Sequence, residues 1–436
     1  MSKTATVWDS KPLSELVHPS RQVTYGIVQP GDFDENGILL IRGQDYIKGW
    51  ATLEDFFRVN RQLHESYHRS VTRGGDVLMC IVGATTGAVN VVPDWIEEAN
   101  ITQTTARISC DGREADANYV AYVLQSEIGQ KQVRKYIKGS AQPGLNLADV
   151  ERFYVPHPDP PEQRKIARIL TTLDNLIEKT EALIAKYQSI KQGMMHDLFT
   201  RGVDAHGRLR PTHEQAPDLY KQSELGWIPK EWEVVLFDDF IAHFDSGWSP
   251  ICDSTPAKAG ECGSLKTTSI SWEGYDPTEN KRLPEHLTPK PRTFVEQDDI
   301  LITRVGPRNR IGVVVHVHDT RELLMVSDNM LRLRLRGQEE LNPAFVPLVL
   351  LSHPVQSWWD GRKVGLAEAQ MVITQHVVRN THFSLPSGIE QERIIARYAK
   401  SISVIRAERT RLDNLQVLKS GLMQDLLTGK VRVNVE

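Results

Sequence analysis

Three stretches of the chain carry residue types at the spacing of catalytic sites. His64-Glu65-Ser66-Tyr67-His68 matches the H-E-x-x-H pattern, in which two histidines one helical turn apart hold zinc and the glutamate serves as base. Here Arg61 and Arg69 flank it, Gly74-Gly75 turns the chain soon after, and no third ligand follows at metzincin spacing. A solvated helix or loop is the preferred reading, with a zinc-dependent hydrolase through His64, Glu65 and His68 kept as an alternative. Asp159-Pro160-Pro161 begins like the D-P-P-Y loop of amino-methyltransferases, but residue 162 is Glu where an aromatic would stack a base, and no G-x-G occurs. Asp253 with Glu279 and Lys281 is too loosely spaced to argue for a metal nuclease, and no G-K-S or G-K-T marks a nucleotide loop. Cys80, Cys110, Cys252 and Cys262 are scattered, as suits reduced thiols in a cytosol. The chain reads as non-catalytic, without metal or cofactor of its own.

What remains is polar and basic residues at turns. RVGPRNRIG places Arg304, Arg308, Asn309 and Arg310 together, where guanidinium groups reach phosphates or guanine edges. In the first half the candidates are Arg42, Gln44, Arg69 and Arg73, with Lys138, Ser140 and Gln142 in the turn KGSAQ. Gln and Arg pair with adenine and guanine edges respectively. The strand MLRLRLRG alternates, so Arg332, Arg334 and Arg336 share a face, read as a solvated outer one.

These residues must be positioned by a duplicated frame. Setting Glu162 on Glu390, 228 residues later, puts Gln163 on Gln391 and Ile166 on Ile394. The register still holds at the far end, where KQGMMHDLFT lies on KSGLMQDLLT. Upstream, Trp8 matches Trp232, GGDVLMCIVG matches QDDILITRVG, and ANYVAYVLQS matches PAFVPLVLLS. Repeats of this kind define the architecture. The predicted organisation is a mixed globular half over 1–157, a long helix over 158–200, a polar linker over 201–230, a second half over 231–386, a second helix over 387–428 and a tail over 429–436. Composition agrees with a soluble chain: 40% hydrophobic, 25% charged, net charge −4. That balance excludes coating nucleic acid by bulk charge and leaves room for a local basic surface. The first residues lack a signal peptide's apolar core and no membrane-length apolar run occurs, so a cytoplasmic location without membrane attachment is expected.

The helices look built to pair. In the first, Ile166, Leu173, Thr180, Tyr187 and Met194 recur every seven residues, interleaved with Ile169, Leu176, Leu183 and Ile190. The second carries Ile395, Tyr398, Ile402, Ile405 and Leu412, then Leu415, Leu418 and Leu422 after one irregular step. Narrow a/d stripes on rods of roughly 57 Å need a covering partner, and each copy is the other's.

The tandem plan, the joins PHPDPPEQRKIARIL and LPSGIEQERIIARYA, the helix ends HDLFTRG and QDLLTGK, and the phrase SELGWIPKEWEV resemble the specificity subunit of type I restriction–modification enzymes across essentially the whole chain. The resemblance implies an α+β fold: two tandem target-recognition domains separated by an antiparallel coiled coil of two long helices, with pseudo-two-fold symmetry. It implies a split target in double-stranded DNA, two methyltransferase subunits and two restriction subunits as partners, and S-adenosylmethionine, ATP and Mg handled by those partners. A coiled-coil scaffold with protein-binding halves is the other alternative. In the second join Ser387-Gly388-Ile389 replaces the prolines of the first.

Overall fold

In the computed structural model, which describes residues 8–139, 142–337 and 339–434, the chain is a mixed α+β protein in two units. Residues 1–182 and 410–436 form the first, and 183–409 the second. Each unit therefore owns a piece of both long helices. The predicted halves and helices do not map one-to-one onto these units.

The two units repeat one topology. In the first, a four-stranded antiparallel sheet runs in the order Thr24–Tyr25, Thr105–Ile108, Val77–Cys80, Val89–Val91. The second has the same order in Ile241–Ser246, Met330–Leu335, Ile300–Thr303, Val314–His316. Each also has a three-stranded sheet with one parallel pairing, Leu39 on Ala99 in the first and Gly263 on Leu324 in the second. Each closes with an antiparallel pair leading into its helix, Ser10–Pro12 with Tyr154–Pro156 and Glu233–Leu236 with His382–Leu385.

The helices span Pro160–Thr200 and Gly388–Leu427, a residue or two inside the predicted bounds. Pro160 and Pro161 occupy the first helical positions, where a missing N–H costs no bond. The Asp159 carbonyl accepts from the amides of Glu162 and Gln163. Both glutamines of the repeated join are buried and bonded alike. Gln163 accepts from the Asp116 amide (3.0 Å) and donates to the carbonyls of Glu114 (3.1 Å) and Pro158 (2.9 Å). Gln391 accepts from the Asn342 amide (2.9 Å) and donates to the carbonyls of Glu340 (2.7 Å) and Pro386 (3.0 Å). The glutamates beside them each meet an arginine that follows the other helix. Arg432 grips Glu162 through two nitrogens, at 2.8 and 3.2 Å. Glu390 takes Arg210, the Trp232 indole N–H (3.0 Å) and the Val203 amide (2.8 Å).

Segment 201–230 is therefore packed, although its composition reads as a linker. Val203, Tyr220 and Ile228 are buried, and Tyr220–Ser223 pairs with Gly226–Pro229 as a hairpin.

Within the first unit Ile166, Ala167 and Leu170 share a core with Leu426 and Leu427, while Asp174 reaches Lys419 at 2.5 Å, so the helix segments run antiparallel. Within the second, Leu198 and Phe199 share a core with Ile394, and Lys191 lies over the Tyr398 ring. Burying a side chain such as Ile166 or Ile394 stabilises by about 1.5–3 kcal/mol.

The seam itself needs correction. Ile166, Leu173 and Thr180 are buried as expected, and the Thr180 hydroxyl satisfies itself on the Leu176 carbonyl (2.7 Å). The second row instead follows Leu170, Ile177, Ile184 and Leu198, leaving Leu176 and Ile190 exposed. Ile169, Leu183 and Tyr187 are half-buried beside it. In the other helix Ile405 is buried and Ile395, Tyr398, Ile402, Leu412, Leu415 and Leu422 are half-buried. Leu418 is exposed, and Lys419 takes the inward place with its ammonium over the Tyr122 ring.

Candidate nucleic-acid interface

Arg107 stands in the middle of a sheet strand, opposite Leu78 and Thr24, and is only 2% exposed. A buried guanidinium must be hydrogen-bonded to be tolerated. One end donates to the carbonyls of Arg69 (2.8 Å) and Val71 (2.9 Å), the other to that of Gln22 (2.9 Å). Its Nε has no partner among the described residues. Burial first, then the charges of Arg21 and Arg73, lower its pKa to about 10 against the pull of Asp76, and it stays protonated at neutral pH. Asp76 is already committed, accepting two bonds from Arg21 (2.8 and 2.9 Å) and one from the Ser109 hydroxyl.

Over this arginine lies a hollow of about 580 Å³ walled by Arg21, Thr24, His68, Arg69 and Arg73 together with Glu97 and Glu98. The guanidiniums of Arg69 and Arg73 are exposed and unpaired among the described residues. Two of the first-half candidates thus come together, joined by Arg21 and Arg107, which sequence reasoning missed.

The second unit repeats the device. Arg332 is 4% exposed and donates to the carbonyls of Arg292 (2.7 Å) and Phe294 (2.5 Å), positions 223 residues after Arg69 and Val71. The tight turns His68–Ser70 and Pro291–Thr293 correspond, and each presents an exposed arginine, Arg69 or Arg292. Extending the match of GGDVLMCIVG to QDDILITRVG five residues upstream would have found Arg292. Of the strand arginines, Arg332 is buried and Arg334 half-buried as internal ties, while Arg336 stays exposed. Arg332 binds Asp245 (2.7 Å), Arg334 binds Asp299 (2.6 Å), and Arg336 donates to the Ile241 carbonyl.

The remaining candidates disperse. In the 304–310 turn Arg308 is held by Glu368 (2.9 Å), Asn309 and Arg310 are exposed, and Arg304 is half-buried with its Nε unpartnered among the described residues. Arg42 is fixed by Asp45 in two bonds of 3.0 Å, while Gln44 beside it is exposed. Lys138 pairs with Asp149 (3.0 Å), Gln142 is exposed, and Ser140 lies outside the described residues. His64 is buried against Asn100 and Glu98, whereas His68 is exposed on the next turn, so the two rings do not share a helix face.

Residues 32–187 match the family model described as type I restriction modification DNA specificity domain. A putative type I restriction enzyme MjaX specificity subunit from Methanocaldococcus jannaschii is 30% identical over 322 residues, 72% of this chain and 68% of that one. The EcoEI specificity subunit of Escherichia coli is 34% identical over 190 residues, 43% of this chain but only 32% of that relative's length. The crystal structure of a type I S subunit from M. genitalium superposes with a TM-score of 0.57 at 14% identity, covering 97% of this chain and 96% of that one. That likeness speaks for the fold.

Proposed function

This chain belongs to the family of type I restriction–modification DNA specificity subunits, and we propose that each of its two units reads one half of a split duplex target. The observation that carries the proposal is the point-for-point duplication. Both units hold the same sheet order, the same buried glutamine at the helix join and the same arginine-bearing turn tied to a strand arginine. A repeat this close presents two equivalent surfaces to two half-sites, as paired readers do on DNA. Phosphate contacts fix each reader's register, and base contacts in the groove specify sequence.

Methyl transfer, ATP hydrolysis and cleavage belong in this reading to methyltransferase and restriction subunits, two of each, which bring S-adenosylmethionine, ATP and Mg. Its support is that the apparent catalytic spacings serve structure: His64 bonds Asn100, and the Asp159 carbonyl starts a helix. The long helices set the spacing of the half-sites, a role supported by the antiparallel helix segments inside each unit.

The test is exchange. Replacing residues 231–386 by the corresponding stretch of a relative should change one half of the methylated sequence and leave the other half intact. A change in both halves would sink the modular reading. Removing one heptad from each helix, residues 173–179 and 401–407, takes out about 10 Å of rise and should shorten the spacer between unchanged halves.

A further inference from the structure

We propose that the hollow over Arg107 is a phosphate site for the DNA backbone, and that the matching place in the second unit is neutralised and does not serve as one. The inference rests on the DNA-reading role and adds an asymmetry between two otherwise matched units. In the first unit four guanidiniums, those of Arg21, Arg69, Arg73 and Arg107, face three carboxylates, Asp76, Glu97 and Glu98. Asp76 is spent on Arg21 and Ser109, and Glu98 lies 3.3 Å from His64. Among the described residues the Arg69 and Arg73 guanidiniums have no partner, and the hydrogen bonds of Arg107 all go to backbone carbonyls.

Two positions decide the contrast. Opposite Arg107 on the neighbouring strand stands Thr24, whereas opposite Arg332 stands Asp245, which binds it directly. Residue 73 is Arg, and its counterpart is Glu296, which pairs with Arg334 at 3.0 Å. The second unit thus sets Arg292, Arg332 and Arg334 against Asp245, Asp299 and Glu296, three charges of each sign. A phosphate entering the first hollow meets unpaired donors. At the second it would have to displace carboxylates.

The experiment is a salt series of duplex binding by the full-length chain, followed by fluorescence anisotropy. Wild type is compared with Arg69→Gln/Arg73→Gln, and with Arg134→Gln as a control whose partner is Glu127. Both pocket residues are exposed, and unchanged circular-dichroism melting verifies the fold. Losing one neutralised phosphate should reduce the slope of log K against log salt by about 0.9, with the methylated motif unchanged and the control at the wild-type slope. An unchanged slope in the double variant, alongside wild-type binding, overturns the pocket and leaves the reading role standing. A changed base preference also overturns it, since the arginines would then be reading sequence. Absence of salt-dependent wild-type binding overturns the role and the pocket together. Inorganic phosphate, titrated calorimetrically without DNA, separates the two sources of the anion. The backbone site predicts millimolar or weaker binding, and micromolar binding lost in the double variant would make it a free-phosphate site instead.

Discussion

Replacing Gln163 by methionine tests the repeated join. Methionine keeps the length of the side chain and removes all three hydrogen bonds, to the Asp116 amide and to the carbonyls of Glu114 and Pro158. The Glu114 carbonyl keeps a neighbour, since His157 Nε2 lies 3.0 Å from it. Two groups are orphaned, the half-buried Asp116 N–H and the buried Pro158 carbonyl, at about 1–3 kcal/mol each. The added apolar burial offsets part of this, leaving a loss of about 3 kcal/mol. For a unit of this size that lowers Tm by about 6–12 °C. Hydrogen exchange read by mass spectrometry localises the effect. The helix Ala117–Gln125, whose entry the glutamine holds, should lose protection, while Val346–Leu350 of the second unit should keep it. Gln391→Met should do the reverse. A loss below about 1 kcal/mol, or equal deprotection of both helices by one substitution, would refute the reasoning that each join is a local, fully satisfied polar lock.

Other outcomes follow from the same contacts. Glu390→Gln takes the buried carboxylate from Arg210, which keeps only the exposed Glu231, and should cost the second unit about 3 kcal/mol, whereas Arg432→Gln takes away an exposed partner of Glu162 and should cost less; urea denaturation compares them. Ile184→Ala opens a buried seam position and should cost about 2–5 kcal/mol, while Ile190→Ala, at an exposed one, should stay within about 0.5 kcal/mol by the same denaturation. Burial raises the Asp245 carboxyl, but the hydrogen bond and charge of Arg332, with His243 adding a little, outweigh it and hold it below the aspartate range. Its contribution is present above the unfolded value of about 3.9 and is lost as pH falls through the lower folded value. Acid unfolding of Asp245→Asn should lack that portion of the wild-type pH dependence.

The duplicated frame was legible because its marks are local in sequence. The Glu-Gln pair, the prolines and the 228-residue offset need no knowledge of packing. The seam was half legible. Ile169-Leu170, Leu176-Ile177 and Leu183-Ile184 are apolar doublets, so periodicity alone leaves two adjacent rows open, and packing selects the second member. Lys419 defeats a hydrophobic template because its stem goes inward while the ammonium finds Asp174 and the Tyr122 face. Segment 201–230 read as a linker because the partner that fixes it, Glu390 against Arg210, lies 180 residues away. Arg107 and Arg332 were hidden for a related reason. A charged residue in a strand reads as outward-facing unless the carbonyls that receive it are known.

The most direct measurement is a genome-wide map of methylated bases in cells with and without this gene, repeated with residues 231–386 exchanged. The account predicts one split motif that vanishes on deletion and, after exchange, returns with a single half altered. An identical map in all three strains would contradict the claim that this chain supplies the sequence read by its complex.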